Sequence, residues 1–133
     1  MYVVGIAVVA YSPLSRGFLS GDFRSLEDLP EKDYRRNLPR FQPDVFGENR
    51  KLVSAVEGIA KRKGLSPGQV GLAWVRSQGA IPIPGTIKVE RVIENCKDVT
   101  LTDEEMEEIQ EILNRLPVRG QRYGGESEKL LNQ

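Results

Sequence analysis

The sequence contains no histidine and only one cysteine among its 133 residues. Histidine is the side chain that most readily exchanges a proton near neutral pH. The chain therefore cannot itself supply an imidazole acid, base or metal ligand. Cys96 alone cannot form an internal disulfide, and with no histidine beside it we expect no metal site. A single cysteine also suits a reducing compartment, so the expected location is cytoplasmic.

The chain also lacks an excess of either charge and any long apolar run. Its 19 lysines and arginines balance 19 acidic residues, which argues against a nucleic-acid surface as its main function. The longest apolar run, at the N-terminus, is far shorter than the ~20 residues that span a bilayer. It has no basic residues before it, so a strand is favoured over a signal peptide. We therefore expect neither a nucleic-acid nor a membrane partner.

Two short apolar runs are each followed by small, hydroxylated and turn-forming residues. The first, Ile6–Ala10, leads into Tyr11 and Ser12, and the second, beginning at Ala80, enters Gly85 and Thr86. Buried parallel strands have this pattern, and the helical sequence between the runs favours an α/β unit. We predict two parallel strands, at about 5–11 and 80–84.

Apolar periodicity and end signals predict four helices. Gly64 ends the first, while Ser66 with Gln69, and Thr102 with Glu105, have the spacing of capping boxes at the starts of two others. The fold class is therefore α/β, with helices at about 46–63, 66–78, 88–98 and 103–115.

The segment 17–43 shows no clear period. We predict a long loop with a short helical turn near Leu26–Leu29, and it could be either a binding loop or a solvated connection. The helix at 88–98 is expected to bury Val89, Val92, Ile93 and Cys96. Cys96 is interpreted as a packing residue, with a redox role as the alternative.

The loops after the two strands carry the candidate binding residues. Ser12, Ser15 and Arg16 could hold a diphosphate, although an ordinary strand-to-loop turn explains them equally well. In the second loop, Lys88 and Arg91 could bind an anion at a helix start. The alternative for the second loop is an ordinary solvated helix face, on which Glu94 pairs with Arg91.

Four segments resemble the last two strand–loop units of the aldo-keto reductase family. They are AYSPLSRG (10–17), LPRFQPDVFGENRKLV (38–53), LSPGQVGLAWVRSQG (65–79) and IPIPGTIKVERVIEN (81–95). The resemblance implies the C-terminal portion of a (β/α)8 TIM barrel, because a whole barrel needs roughly twice this length. It places a partial oxidoreductase domain at 1–118 and a C-terminal tail at 119–133.

The resemblance also implies the cofactor NADP(H) and a role for each candidate residue. Tyr11 would stack on the nicotinamide ring, and Ser12, Leu14 and Arg16 would line the diphosphate. The adenosine 2′-phosphate and the adenine ring would be held by Gly85, Thr86, Lys88, Arg91, Glu94 and Asn95. Ser15 departs from the family, whose members commonly have glycine there, and would be strained if its φ is positive.

The resemblance assigns no catalytic residue to this chain. The family's catalytic tyrosine acts with an aspartate, a lysine and a histidine on earlier strands, and Tyr2, Tyr34 and Tyr123 do not match its context. The implied function is that of the cofactor-binding portion of an enzyme transferring hydride between NADPH and an aldehyde or ketone. The small carbonyl substrate belongs to the full-length parent, and the fragment is expected to be inactive and to self-associate. The alternatives are a non-catalytic nucleotide-binding adaptor and an unproductive truncated product.

Overall fold

The computed structural model describes residues 5–125 and 127, and it has an α/β fold. Strands β1 and β2 pair in parallel, with Val8 opposite Ala80 and Tyr11 opposite Ile83. Two helices connect the strands, and two more follow β2. In chain order the elements are β1 (Val8–Tyr11), α1 (Pro43–Lys63), α2 (Pro67–Ser77), β2 (Ala80–Ile83), α3 (Val89–Cys96) and α4 (Asp103–Arg115).

The predicted parallel strands and all four helices are confirmed, with small differences at their ends. Both strands are shorter than predicted, and α4 has the predicted bounds. Helix α1 begins three residues early, at Pro43, whose fixed φ suits the first helical position. Helices α2 and α3 each begin one residue late, since Ser66 and Lys88 are their N-caps.

Local side-chain bonds explain these helix starts. The Ser66 hydroxyl accepts from the Gln69 backbone N–H at 3.2 Å, while Ser66 N donates to the Gln69 side chain at 3.0 Å. The same reciprocal pair joins Thr102 and Glu105, at 3.3 and 2.8 Å. Each box satisfies two backbone groups that a helix start leaves unpaired, as the sequence predicts.

The segment between β1 and α1 is a series of 3-10 helices that packs on its own aromatic core. Phe18, Phe23 and Phe41 are buried with Phe46 of α1, and their ring centres lie 5.2–6.3 Å apart. Such tilted and edge-on contacts add to the hydrophobic burial of the rings. The segment is therefore not a solvated connection. Its 3-10 helices are Ser15–Ser20, Leu26–Asp28, Tyr34–Asn37 and Pro39–Phe41.

A second apolar core joins three helices. Val56 and Ile59 of α1 pack with Val70 of α2 and with Ile109 and Ile112 of α4. Ile59 has no exposed surface. This core holds α4 against the α1–α2 pair.

The predicted burial of the apolar side of α3 is wrong. Val89, Val92 and Ile93 are 75%, 51% and 72% exposed, and Cys96 is also exposed. The polar side of α3 faces the protein instead, where Asn95 is buried at 8% exposure. Bonds from α2 to α3 hold this orientation, so the apolar side is directed away from the two cores.

The two-stranded sheet leaves further apolar surface uncovered. Val8 and Val9 of β1, and Ile81 and Ile83 of β2, are all more than half exposed. Parallel sheets are normally covered on both faces, because their strands are apolar throughout. The sheet and α3 therefore each expose apolar side chains, and these are referred to below as the apolar surface of the sheet and α3.

No helix in the described part of the chain is both long enough and apolar enough to cross a bilayer.

We expect the purified 133-residue chain to self-associate through this surface. Val89→Lys with Ile93→Lys should shift it toward monomer, because the lysines place charges on the apolar side of α3. Gln110→Lys with Asn114→Lys, which adds the same charge to exposed positions of α4, should have little effect. Light scattering coupled to size exclusion measures the mass. A monodisperse wild-type monomer with a cooperative thermal transition would contradict this expectation.

Candidate functional site

A groove of about 730 Å³ lies at the carboxyl ends of both strands. Since β1 and β2 run in parallel, the loops that follow them meet at one edge of the sheet, where α/β folds usually bind ligands. The volume is within the ~300–1,000 Å³ typical of small-molecule sites. Eight of the ten predicted cofactor-binding residues line this groove: Ser12, Leu14, Arg16, Gly85, Thr86, Lys88, Arg91 and Asn95. Tyr11 and Glu94 lie beside it.

The loop after β1 turns sharply through left-handed backbone conformations. Ser12, Ser15 and Arg16 have φ of 50°, 50° and 56°, and Gly17 follows at 90°. The turn is closed by Ser15 N donating to Ser12 O at 3.0 Å and by Gly17 N donating to Leu14 O at 3.1 Å. A positive φ costs a non-glycine residue about 1–2 kcal/mol. The strain expected at Ser15 is therefore present, and two neighbours share it.

The loop after β2 leads directly into the N-terminus of α3. The Thr86 hydroxyl accepts a hydrogen bond from Lys88 N at 3.1 Å, which fixes the turn before the helix. Lys88 is exposed, and among the described residues it forms no ion pair within 4.0 Å. Its charge nevertheless acts on Asp22, since it helps to lower the pKa of that carboxyl. Lys88 is thus a cation available at the rim of the groove.

Arg91 joins α3 to the loop across the groove. One of its nitrogens lies 2.6 Å from a carboxylate oxygen of Asp22, and the other lies 2.9 and 3.0 Å from the two oxygens of Glu94. Burial acts to raise the pKa of Asp22, but hydrogen bonds from Ser20 and Arg91, with the arginine's charge, hold that pKa below its usual value. The pairing of Arg91 with Glu94, which the sequence offered as the alternative to anion binding, is present. Arg91 also pairs with Asp22, which the sequence did not indicate.

Glu94 and Asn95 are fixed against α2. The Ser66 hydroxyl donates to the Glu94 carboxylate, and the Gln69 side chain donates to Glu94 O at 3.3 Å. Arg76 donates to Asn95 O at 3.1 Å. The residues that cap α2 therefore also orient the polar side of α3 toward the groove.

Residues 3–114 match the family model described as the aldo/keto reductase family. The chain belongs to the aldo-keto reductase family. The resemblance inferred from its strand–loop motifs is thereby confirmed.

Individual aldo-keto reductases match most of this chain. The chain is 43% identical over 122 residues to the aldo-keto reductase yakc (NADP(+)) of Schizosaccharomyces pombe, covering 89% of this chain and 36% of that protein. It is 41% identical to an aldo-keto reductase of Gibberella moniliformis, covering 89% and 37%. The solved glycerol dehydrogenase AKR11B4 of Gluconobacter oxydans superposes with a TM-score of 0.75 at 30% identity, covering 86% and 36%. The chain thus spans little more than about a third of these relatives.

Tyr11, the predicted nicotinamide-stacking residue of this aldo-keto reductase chain, contacts the C-terminal tail. The Arg122 guanidinium lies 4.1 Å from the centre of the Tyr11 ring and donates to Tyr11 O at 3.0 Å. The Tyr11 and Tyr123 hydroxyls form a hydrogen bond at 3.2 Å. This bond raises the pKa of Tyr11, whose proton it retains, and lowers that of Tyr123. The first residues of the predicted tail therefore lie on the site, while 126 and 128–133 fall outside the described residues, as does Tyr2.

Two further residues of the site lie in the aperiodic segment and carry no sequence signal. Asp22 and Arg35 line the groove. Arg35 donates to both oxygens of Asp33, at 2.9 and 2.7 Å, and to Arg16 O at 3.0 Å. It therefore supports the strained turn. Charged residues at irregular spacing in a loop carry no signal of such contacts.

Among residues 5–125 and 127, no group of three histidine, cysteine, aspartate or glutamate side chains could hold a metal ion.

Replacing Ser15 with glycine should stabilise the fold, because glycine adopts a positive φ without steric cost. The expected gain is about 0.5–1 kcal/mol, seen as a higher midpoint of thermal or urea unfolding. The matched Ser54→Gly, at an exposed position inside α1, should instead lower stability by about 0.5 kcal/mol. A lower midpoint for Ser15→Gly would show that the serine makes a contact worth more than the strain.

The Asp33–Arg35 pair should make stability depend on acid pH. The hydrogen bond from Arg35 lowers the pKa of Asp33 from 3.8 to about 2. A lowered folded-state pKa gives stability that is present above pH ~4 and is lost as the pH falls toward about 2. Urea unfolding between pH 5 and pH 2 should show a flatter dependence for Asp33→Asn than for the wild type. Parallel profiles would contradict this.

Proposed function

We propose that this chain forms the cofactor-binding C-terminal portion of an aldo-keto reductase barrel and binds NADP(H). In the full-length parent the cofactor supplies hydride transfer to or from an aldehyde or ketone. The observation that carries the proposal is the convergence of eight family-matched residues on one groove at the ends of two parallel strands. The name of the relative yakc, which includes NADP(+), supports the choice of cofactor.

The loop after β1 suits the diphosphate. Ser12 offers a hydroxyl, Arg16 a fixed positive charge, and Leu14 an apolar wall, and all three line the groove. Arg35, already bonded to both oxygens of Asp33, lines the same side and supports the turn that carries Arg16. A guanidinium can donate two parallel hydrogen bonds to phosphate oxygens, so Arg16 would hold the diphosphate in one orientation.

The start of α3 suits the adenosine 2′-phosphate. Lys88 and Arg91 line the groove at the N-terminus of α3, where the helix dipole also favours an anion. Arg91 is already paired with Asp22 and Glu94, so a phosphate must share or displace one of these carboxylates. Lys88 has no carboxylate partner among the described residues, and we assign it the first contact.

The carboxylates beside Arg91 work against a phosphate. Asp22 lies 2.6 Å from Arg91, so its charge opposes a dianion bound there. The Arg91 pair also ties the loop to α3 and thus keeps the groove in shape. Asp22 is therefore expected to limit the preference for NADPH that Lys88 and Arg91 create.

Catalysis is not assigned to this chain. The sequence has no histidine, and the described tyrosines other than Tyr11 occupy the loop (Tyr34) and the tail (Tyr123). Binding and turnover should therefore separate in the isolated chain. The uncovered apolar surface of the sheet and α3 also suits a nucleotide-binding adaptor that acts through a protein partner, which is our second candidate.

NADPH should bind more tightly than NADH, with titrations followed by Trp74 or cofactor fluorescence. Each charge-assisted contact to the 2′-phosphate is worth ~1.5–3 kcal/mol, or tenfold or more in affinity. Lys88→Ala with Arg91→Ala should remove most of the preference and leave NADH affinity nearly unchanged, whereas Asp22→Asn should increase the preference. Lys88→Ala alone tests the cation without breaking an ion pair.

The control for this titration is Lys61→Ala with Arg115→Ala, which removes two exposed cations that do not line the groove. It should leave the preference intact. Equal affinity of the wild type for NADPH and NADH would overturn the cofactor assignment.

The isolated chain should not oxidise NADPH in the presence of 4-nitrobenzaldehyde, as followed by cofactor absorbance. Turnover that persists through purification, and that disappears in Tyr11→Phe, would show that the chain contains its own catalytic group. Binding of NADPH without turnover is the expected result.

A further inference from the structure

A second pocket, of about 240 Å³, adjoins the cofactor groove at the end of β1. It is bounded by the β1 loop, the 3-10 turn at Pro39–Phe41 and the C-terminal tail. Among the residues that the structure describes, no acidic side chain lines it. The polar side chains of the lining are those of Tyr11, Ser12, Ser15, Arg16, Arg40 and Arg122.

Arg16 and Arg122 bring two positive charges to the same place. Their guanidinium carbons lie 4.7 and 5.9 Å from the centre of the Tyr123 ring. Arg16 donates to Arg122 O at 3.3 Å, and Arg122 donates to Tyr11 O at 3.0 Å. The tail and the β1 loop thus hold the two arginines close together.

Their partners distinguish these arginines from others in the chain. Arg35, Arg50 and Arg91 each lie within 2.6–2.8 Å of a carboxylate oxygen. Arg16 and Arg122 form no ion pair within the described part of the chain. The groups they bond are neutral: the backbone carbonyls of Arg122 and Tyr11, and the Tyr123 phenol beside Arg122. Each guanidinium has five N–H donors, so most of the donors remain for a ligand.

Two converging guanidiniums without a carboxylate favour an anion between them. Their mutual repulsion is relieved when an anion binds, and the hydroxyls of Ser12 and Ser15 can donate to the same group. The positive charges of Arg16 and Arg122 also favour a nearby anion: they contribute to the lowered pKa of Tyr123, and they oppose the rise in the pKa of Tyr11 that its hydrogen bond to Tyr123 causes. The pocket is too small for a second nucleotide and suits a carboxylate attached to a short carbon skeleton.

We propose that this pocket binds the carboxylate of the carbonyl substrate, so that the parent enzyme acts on aldehydes or ketones that carry an acid group. The inference rests on the proposed function, because Tyr11, the nicotinamide-stacking residue, forms one wall of the pocket. A carboxylate held by Arg16 and Arg122 places the remainder of the substrate next to that ring. Arg122 is then a specificity-determining residue, and the tail is part of the substrate site.

The test uses the 133-residue chain and two matched probes, 4-carboxybenzaldehyde and its uncharged methyl ester, titrated by calorimetry or ligand-observed NMR. The acid should bind at least tenfold more tightly than the ester. Arg122→Gln should reduce the affinity for the acid to that for the ester, and Arg122→Lys should retain part of the difference. Arg24→Gln, which removes an exposed arginine that does not line this pocket, should leave it unchanged.

The variants separate this inference from the cofactor assignment. Lys88→Ala should weaken NADPH and spare the acid probe, Arg122→Gln should do the reverse, and Arg16→Gln should weaken both, because Arg16 lines both cavities. Equal binding of acid and ester, absence of binding of the acid at millimolar concentration, or an unchanged preference in Arg122→Gln would each overturn the proposal. None of these results would alter the comparison of NADPH with NADH.

Competition with inorganic phosphate tests whether the pocket prefers a carboxylate to other anions. If phosphate at a concentration equal to that of the acid probe displaces the probe completely, the assignment to a carboxylate is overturned. If the probe stays bound, the assignment is supported.

Discussion

The parallel pairing of β1 with β2 determines where every candidate binding residue lies. An antiparallel pair would have placed the loop after β1 and the loop after β2 at opposite edges of the sheet. Parallel pairing brings Ser12 and Arg16 to the same edge as Thr86 and Lys88, although more than 60 residues separate them in the sequence. Helices α1 and α2 form the connection that such pairing requires.

The charges around this edge are arranged in two different ways. At the start of α3, Arg91 is neutralised by Asp22 and Glu94, so this region has a stable geometry before any ligand binds. At the end of β1, Arg16 and Arg122 converge without a described carboxylate partner. The first arrangement holds the groove together, and the second leaves a positive potential that a ligand can satisfy. A net charge of zero for the whole chain conceals this difference.

The apolar surface of the sheet and α3 follows from the same organisation. Ser66, the N-cap of α2, and Gln69 and Arg76 within that helix donate hydrogen bonds to the polar side of α3. Those bonds leave Val89 and Ile93 exposed, as the valines and isoleucines of the strands also are. An amphipathic pattern therefore identified the helix correctly but not the side that packs, since burial depends on which neighbours are present.

The sequence by itself determined the elements whose causes are local. The capping boxes at Ser66 and Thr102 and the strand-ending loops depend on residues within a few positions of each other, and the family motifs pointed to the residues that line the groove. The contacts decided by tertiary structure join distant positions: the aromatic core of Phe18, Phe23, Phe41 and Phe46, the Asp22–Arg91 pair, and the contact of Arg122 with Tyr11. These residues have no periodic spacing, and their partners lie up to 111 positions away. Composition and pattern cannot specify such contacts, because only the folded backbone brings the side chains within hydrogen-bonding or packing distance.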